Sequence, residues 1–343
     1  MSDKALIRAL NGECVNPRPI WLMRQAGRYL PEYRAVRKTV SGFLELCYTP
    51  EKALEVTLQP IRRYGFDASI LFSDILVVPD ALGADVRFVE GEGPKLTPIK
   101  DRGDFEKLSI DGFLAHLQPV FETVTLLRQH LPEPVTLIGF SGLPWTLAAY
   151  MTEGQGSRDF GAARTFAYAD PVLFAELIDL LETAIVDYLD QQIKAGAETI
   201  QLFDSWAGVL PEPELIRWCV EPTRRIAEQL RARHPNVPVI AFPRGVGGCL
   251  KHYAGDFPIQ GLSLDTTVPL QWAAQELRGP CLQGNLDPIL LSVGSDQLLP
   301  EVDRILDSMA GRPFIFNLGH GILQTTNPDD VQKLVLHLKS REN

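Results

Sequence analysis

Cysteine is scarce in this chain: five in 343 residues, at positions 14, 47, 219, 249 and 281, with no Cys-x-x-Cys pair. An odd, scattered set excludes a disulfide framework and fits buried thiols in a reducing compartment. Long apolar runs are missing too. No stretch approaches the ~20 residues of a membrane-spanning helix, and the opening MSDKALIRAL has no apolar core of a secretory signal. Basic charge is also short, with 33 Lys and Arg against 43 Asp and Glu, a net charge of -10 and a pI near 5.2. Nucleic acids and membrane surfaces attract basic proteins, so neither is expected as a partner. These absences describe a soluble, cytoplasmic protein. The hydrophobic fraction of 45 % is ordinary for a globular chain with a large core. No linker-like stretch divides residues 1–343, so one domain is expected.

Against that acidic background, residues 20–37, IWLMRQAGRYLPEYRAVR, stand out. Ile20 to Met23 follow Pro19 as a short apolar run and read as a buried strand. Arg24, Arg28, Arg34 and Arg37 come next, with Glu32 the only acid among them. A guanidinium is planar, always charged and matched two-on-two to carboxylate or phosphate. Ala26 and Gly27 keep the backbone slim enough for amides to approach an anion. The segment reads as an anion clamp at a strand end, or else as a basic turn paired with surface acids.

Taken in order, the chain alternates strand and helix. Strands are expected at 19–23, 68–72, 135–140, 199–203, 237–242, 261–264, 281–283 and 314–317. Helical sequence is expected at 51–64, 111–130, 144–151, 170–194, 213–233, 246–254, 268–277, 296–310 and 328–340. Thr49-Pro50 reads as an N-cap and first helical position, as does Asp170-Pro171. Residues 82–103, rich in Gly, Pro and charge, read as a loop or small hairpin. Eight strands, each followed by helical sequence, point to an α/β protein built as a single-domain (β/α)8 TIM barrel. A doubly wound open sheet is the alternative.

A barrel collects its chemistry at the C-terminal ends of its strands. Those ends carry Arg24 with Arg28, Asp74, Tyr150 beyond the third strand, Ser205, Arg244, Asp265, Asn285 and His320. Each has a plainer use. Asp74 and Ser205 suit helix caps, Tyr150 suits packing with a wet tip, and the glycines flanking His320 suit a tight turn. The tryptophans read as packing. Gly245-Val246-Gly247-Gly248 lacks the lysine and spacing of a phosphate loop and reads as a turn.

Six strings in order, RQAGRYLPEYR at 24–34, LFSDILVVPDALG at 71–83, GFSGLPWTLAAYM at 139–151, LFDSWAG at 202–208, QGNLDP at 283–288 and FNLGHGI at 316–322, resemble the uroporphyrinogen decarboxylase family over nearly the whole length. The resemblance implies a cofactor-free, metal-free homodimer. It implies removal of CO2 from the four acetate side chains of uroporphyrinogen III to give coproporphyrinogen III. It places Arg24, Gln25, Ala26, Gly27, Arg28 and Arg37 against substrate carboxylates and Asp74 against the pyrrole N–H groups. Tyr150, Ser205 and His320 become substrate contacts, with Arg24, Asp74, Tyr150 and His320 as the catalytic set and Tyr150 or His320 as the better proton donors. The Asp80 position departs from the pattern, past the motif and towards the rim.

Two rival readings follow. Zinc-dependent methyltransferases on related barrels hold their metal with His-x-Cys and a distant Cys. This chain has only Cys249 and His252 in the other order, with Cys281 further on. A non-catalytic tetrapyrrole carrier would keep the arginines without needing Asp74 and Tyr150, and both are present.

Overall fold

The computed structural model describes residues 3–89 and 91–341. Its centre is a parallel seven-stranded sheet. The strands are β1 (Ala68–Ile70), β4 (Thr136–Gly142), β5 (Thr199–Asp204), β6 (Val239–Pro243), β7 (Gly261–Ser263), β8 (Cys281–Leu286) and β9 (Phe314–Leu318). They neighbour one another in that order, so each crossover returns beside the strand it left. Every residue of β4, β5, β6, β7, β8 and β9 is buried, as expected of strands covered on both faces.

The eighth stave differs from expectation. Residues 19–23 form no continuous ladder; Ile20 makes a single parallel bridge to Phe316. The segment nonetheless spans the two sheet edges. The Phe316 amide donates to the Pro19 carbonyl at 2.9 Å and the Asp67 amide to the Ile20 carbonyl at 3.0 Å. Side chains replace the missing rungs: Asp67 Oδ2 accepts from the Ile20 amide at 2.9 Å, and Asn317 Oδ1 from the Met23 amide at 2.9 Å. The sheet thus curls round with this segment as its closing piece, and the arginines that follow it come out at the same end as the strand termini.

Several helices depart from the sequence reading. Residues 111–130 split into Phe113–His116 and Gln118–His130. A π-helical turn at Ile216–Val220 interrupts the run at 213–233. Gly161–Ala169 is helical, as are Pro31–Arg37 and Phe43–Cys47 beside the arginines. Pro50 opens its helix with Thr49 at the N-cap position, but the Thr49 side chain makes no capping bond: its hydroxyl donates back to the Glu45 carbonyl at 2.7 Å. Asp170 caps as expected, accepting from the Leu173 amide at 3.0 Å. The stretch 82–103 carries the hairpin strands β2 (Arg87–Val89) and β3 (Gly93–Lys95).

Candidate active site

A cleft of about 970 Å³ opens at the C-terminal ends of the strands, at the upper end of the range for small-molecule sites. Arg24, Ala26, Gly27, Arg28, Arg37, Asp74, Ser205 and His320 all line it. They come from four separate stretches of sequence, and barrel closure is what brings them together. Two of the expected residues do not line it. Gln25 is 1 % exposed and its side chain is spent on the backbone. Tyr150 stands behind the lining, close enough that Asp74 and Arg24 act electrostatically on its hydroxyl.

The turn carrying Arg24 shows what Gln25 does. The Gln25 amide closes a tight turn onto the Leu22 carbonyl at 2.9 Å, and Arg24 sits in that turn at φ 62°. This left-handed conformation favours glycine and costs an arginine on the order of 1 kcal/mol. The Gln25 side chain clamps the turn from below: Oε1 accepts from the Leu22 amide at 3.1 Å and Nε2 donates to the Ala68 carbonyl at 3.1 Å. The Tyr29 hydroxyl then holds the Gln25 carbonyl at 2.9 Å. Gln25 therefore holds the turn that aims Arg24.

Among the described residues, Arg24, Arg28 and Arg37 have no carboxylate within ion-pair distance. Arg62, Arg63 and Arg225 elsewhere all find one. Arg28 reaches only the Gln324 amide oxygen at 3.5 Å, and Arg37 the Val40 carbonyl at 3.3 Å. Arg34, the fourth arginine of the run, binds the Arg28 and Tyr29 carbonyls and so supports the turn. Three unpaired guanidinium groups round one cleft, in an acidic protein, leave their bidentate faces for an anionic ligand. Among the described residues, no surface acid neutralises these three arginines.

Asp74 lines the cleft and braces its own turn, while the helix that follows, Val77–Ala81, starts from Leu76 without a side-chain cap. Oδ1 accepts from the Leu76 amide at 2.9 Å. Burial pushes its carboxyl above the ordinary range, opposed by the Leu76 amide and then by Arg24. A ligand presenting N–H donors there would restore the ionised form.

His320 is neutral. Burial, then Arg24 and Arg244, push its imidazole down to about 3, with Asp265 pulling the other way. Nδ1 accepts from the Gly321 amide at 2.5 Å, which assigns the ring proton to Nε2. At neutral pH the imidazole therefore carries a single ring proton, at Nε2. Bound carboxylates would raise its basicity. Burial also raises the Tyr150 hydroxyl, which the Trp206 indole N–H lowers.

Asp265 and Asn285 build the frame instead of the cleft. Asp265 accepts from the Gly245 amide at 2.7 Å, and from the amide and hydroxyl of Thr267 at 2.8 and 2.6 Å. Asn285 donates to the Asp265 and Val268 carbonyls. Arg244 is half-buried beside His320 and outside the lining. Asp80, past the LFSD string, takes a hydrogen bond from Tyr48 at 2.7 Å and meets His116 at 2.9 Å.

The sequence reading missed the aromatic wall. Phe72, Phe140, Phe203, Phe43 and Phe88 line the cleft with Tyr33, and Phe140 meets Phe203 edge to face at 5.8 Å. Phe203 stands two residues before Ser205, and strand alternation places such a pair on one face. The wall makes a low-dielectric surround in which the arginines and Asp74 act more strongly.

The model of the uroporphyrinogen decarboxylase (URO-D) family matches residues 1–340. A uroporphyrinogen decarboxylase of Rhodospirillum rubrum is 52 % identical over 335 residues, 97 % of this chain and 96 % of that protein. One of Sinorhizobium fredii is 52 % identical over 336 residues, 98 % and 97 % of the two chains. Among solved structures, a methyltransferase from Methanosarcina mazei superposes with a TM-score of 0.79 over 97 % of each chain at 21 % identity. A B12-independent methionine synthase from a Shewanella species does so with a TM-score of 0.56 at 12 % identity, over 94 % of each chain. At such identities these two speak for the barrel alone. With the family match running almost end to end, and half of the residues shared with its curated members, this chain belongs to the uroporphyrinogen decarboxylase family.

Proposed function

We propose that this chain decarboxylates the four acetate side chains of uroporphyrinogen III to methyl groups, giving coproporphyrinogen III. The observation that carries this is the trio of arginines, unpaired among the described residues, round a cleft with Asp74 set in its wall. The substrate carries eight carboxylates, and Arg24, Arg28 and Arg37, with no acidic partner among the described residues, take them. Held that way, its pyrrole N–H groups meet Asp74.

The chemistry then needs an electron sink. A proton adds to a pyrrole ring carbon, and the ring becomes an iminium-like cation. The electron pair of the CH2–CO2 bond flows into that cation, and CO2 leaves. A second proton caps the exocyclic methylene as methyl, and the first proton departs as the ring regains aromaticity. Net, one proton replaces one CO2. Ionised Asp74 stabilises the cation from a fixed position within apolar walls. His320, neutral with Nε2–H as donor, orients a carboxylate or carbonyl-like oxygen. Once substrate anions raise its basicity, it can also relay a proton. Tyr150 is the alternative relay. Arginine is too weak an acid to donate directly.

The resemblance also supports a cytoplasmic homodimer. No helix of the described residues is long and apolar enough to cross a membrane. Light scattering at micromolar concentration should give twice the chain mass, and a monomer mass would refute the dimer. The activity itself is tested by anaerobic incubation of chelator-treated protein with uroporphyrinogen III, followed by oxidation and separation by carboxylate number. Hepta- through tetracarboxylate products are expected. Unchanged octacarboxylate, bound but not turned over, would overturn the enzyme reading in favour of a carrier.

A further inference from the structure

Cys249 and His252, three residues apart, lie on the 3₁₀ segment Gly247–Tyr253. With three residues per turn, positions i and i+3 eclipse, so both side chains leave from one face. A third residue arrives from another loop. Glu212 opens the short helix Glu212–Leu215 beyond β5, and its Oε1 lies 2.9 Å from His252 Nε2. The Cys249, His252 and Glu212 donor atoms all fall within 4.8 Å of one another. Cys281, the more distant cysteine of the sequence, is not part of this group. It is buried in β8 with Arg312, Arg18 and Cys14 acting on it.

One thiol, one imidazole and one carboxylate form a donor set for a borderline-soft cation. Magnesium and calcium take oxygen ligands. A tetrahedral zinc ion with ligands at ~2.0–2.3 Å places its donors ~3.3–3.8 Å apart. The triad closes to that spacing through small side-chain movements. Cys249 and His252 are half-buried and Glu212 is exposed, so the movements are open to them. The intervening Lys251 pairs with Glu276 at 2.6 Å and does not neutralise the triad.

We propose that Glu212, Cys249 and His252 form a zinc-binding site on the barrel rim, with the fourth coordination position open to solvent. None of the three lines the cleft, so the site is separate from the decarboxylation chemistry. It ties the segment after β5 to the segment after β6. Binding converts Cys–SH and Zn2+ to a Cys–S–Zn bond and a released proton, and breaks the His252–Glu212 hydrogen bond. Affinity rises with pH for that reason. A metal that binds only the folded chain also raises its stability by mass action.

Cobalt(II) is the probe for this site, because a thiolate-to-cobalt charge-transfer band reports a cysteine ligand and strong visible bands report tetrahedral geometry. Chelator-treated full-length protein titrated with Co2+ should develop both, saturate at one equivalent, lose them on adding Zn2+, and release a proton in calorimetry. Cys249→Ser should lose the charge-transfer band, and His252→Gln should bind at least tenfold more weakly. Cys14→Ser, which removes the one fully exposed cysteine of the described residues, should leave the band intact. Metal-free melting temperatures of the variants identify any that fail to fold, and the turnover of the metal-free protein should match that of the zinc-loaded protein. No band in the wild-type protein, or an undiminished band in folded Cys249→Ser, would overturn the proposal.

Discussion

Gly321 packs directly under the Arg24 side chain. A methyl group added at Gly321 would fall on Arg24 Cδ and lie 2.8 Å from Cγ and 3.0 Å from Nε. Non-bonded carbons rest at ~3.5–4.0 Å, so the side chain must retreat by about an ångström. Its backbone cannot easily follow, because Arg24 is pinned at φ 62° by the turn that Gln25 locks. The guanidinium is therefore what moves. A charge-assisted hydrogen bond contributes about 1.5–3 kcal/mol, and misplacement forfeits most of it. Gly321→Ala should accordingly lower kcat/KM for uroporphyrinogen III by about ten- to a hundredfold, at 1.4 kcal/mol per decade. Gly321 is not at positive φ, so alanine fits its backbone, and its amide still reaches His320 Nδ1. Gly156→Ala is the control: nothing lies within 4 Å of an added methyl there, and its kinetics should be unchanged. Steady-state rates from the carboxylate-resolved assay, beside urea unfolding of each variant, make the comparison. Wild-type kcat/KM in folded Gly321→Ala would refute the role given to the Arg24 guanidinium.

Three further outcomes are expected. Asp74→Asn keeps an oxygen for the Leu76 amide, so its urea midpoint should stay near wild type while turnover falls by about a hundredfold or more; near-normal turnover would remove Asp74 from the mechanism. For His320, a folded-state value near 3 against about 6.5 in the unfolded chain means the unfolded state alone gains a proton between those pH values. Its contribution is complete above about pH 6.5 and declines as pH falls towards 3, by up to about 1.4 kcal/mol per unit. Wild-type stability should therefore drop more steeply than that of His320→Gln over this window, and parallel curves from urea midpoints would contradict the buried neutral imidazole. Gln25→Leu strands the buried Leu22 amide and Ala68 carbonyl and should lose about 1–3 kcal/mol of stability. If stability holds and only KM rises, Gln25 contacts the substrate after all.

Residues 19–23 are apolar and bounded by proline, which marks them as a buried stave. Their sparse pairing could not be read from that pattern, because Asp67 and Asn317, far away in sequence, supply the missing rungs. The split of 111–130 into two helices was likewise hidden: its apolar spacing is continuous, and packing decides where a helix breaks.

Alternation of apolar runs with helical periodicity determined the barrel, since each pattern is local and each element must bury its own apolar side. The six strings determined the family, and the arginine run on an acidic chain pointed to an anionic ligand. Only the tertiary structure decided that Arg24, Arg28 and Arg37 have no acidic partner among the described residues, because pairing depends on acids distant in sequence. It alone made His320 neutral, through burial beside Arg24 and Arg244. It gave Gln25 to the backbone and brought Glu212 to Cys249 and His252. Charge state and ligation are properties of neighbours in space, and barrel closure chooses those neighbours.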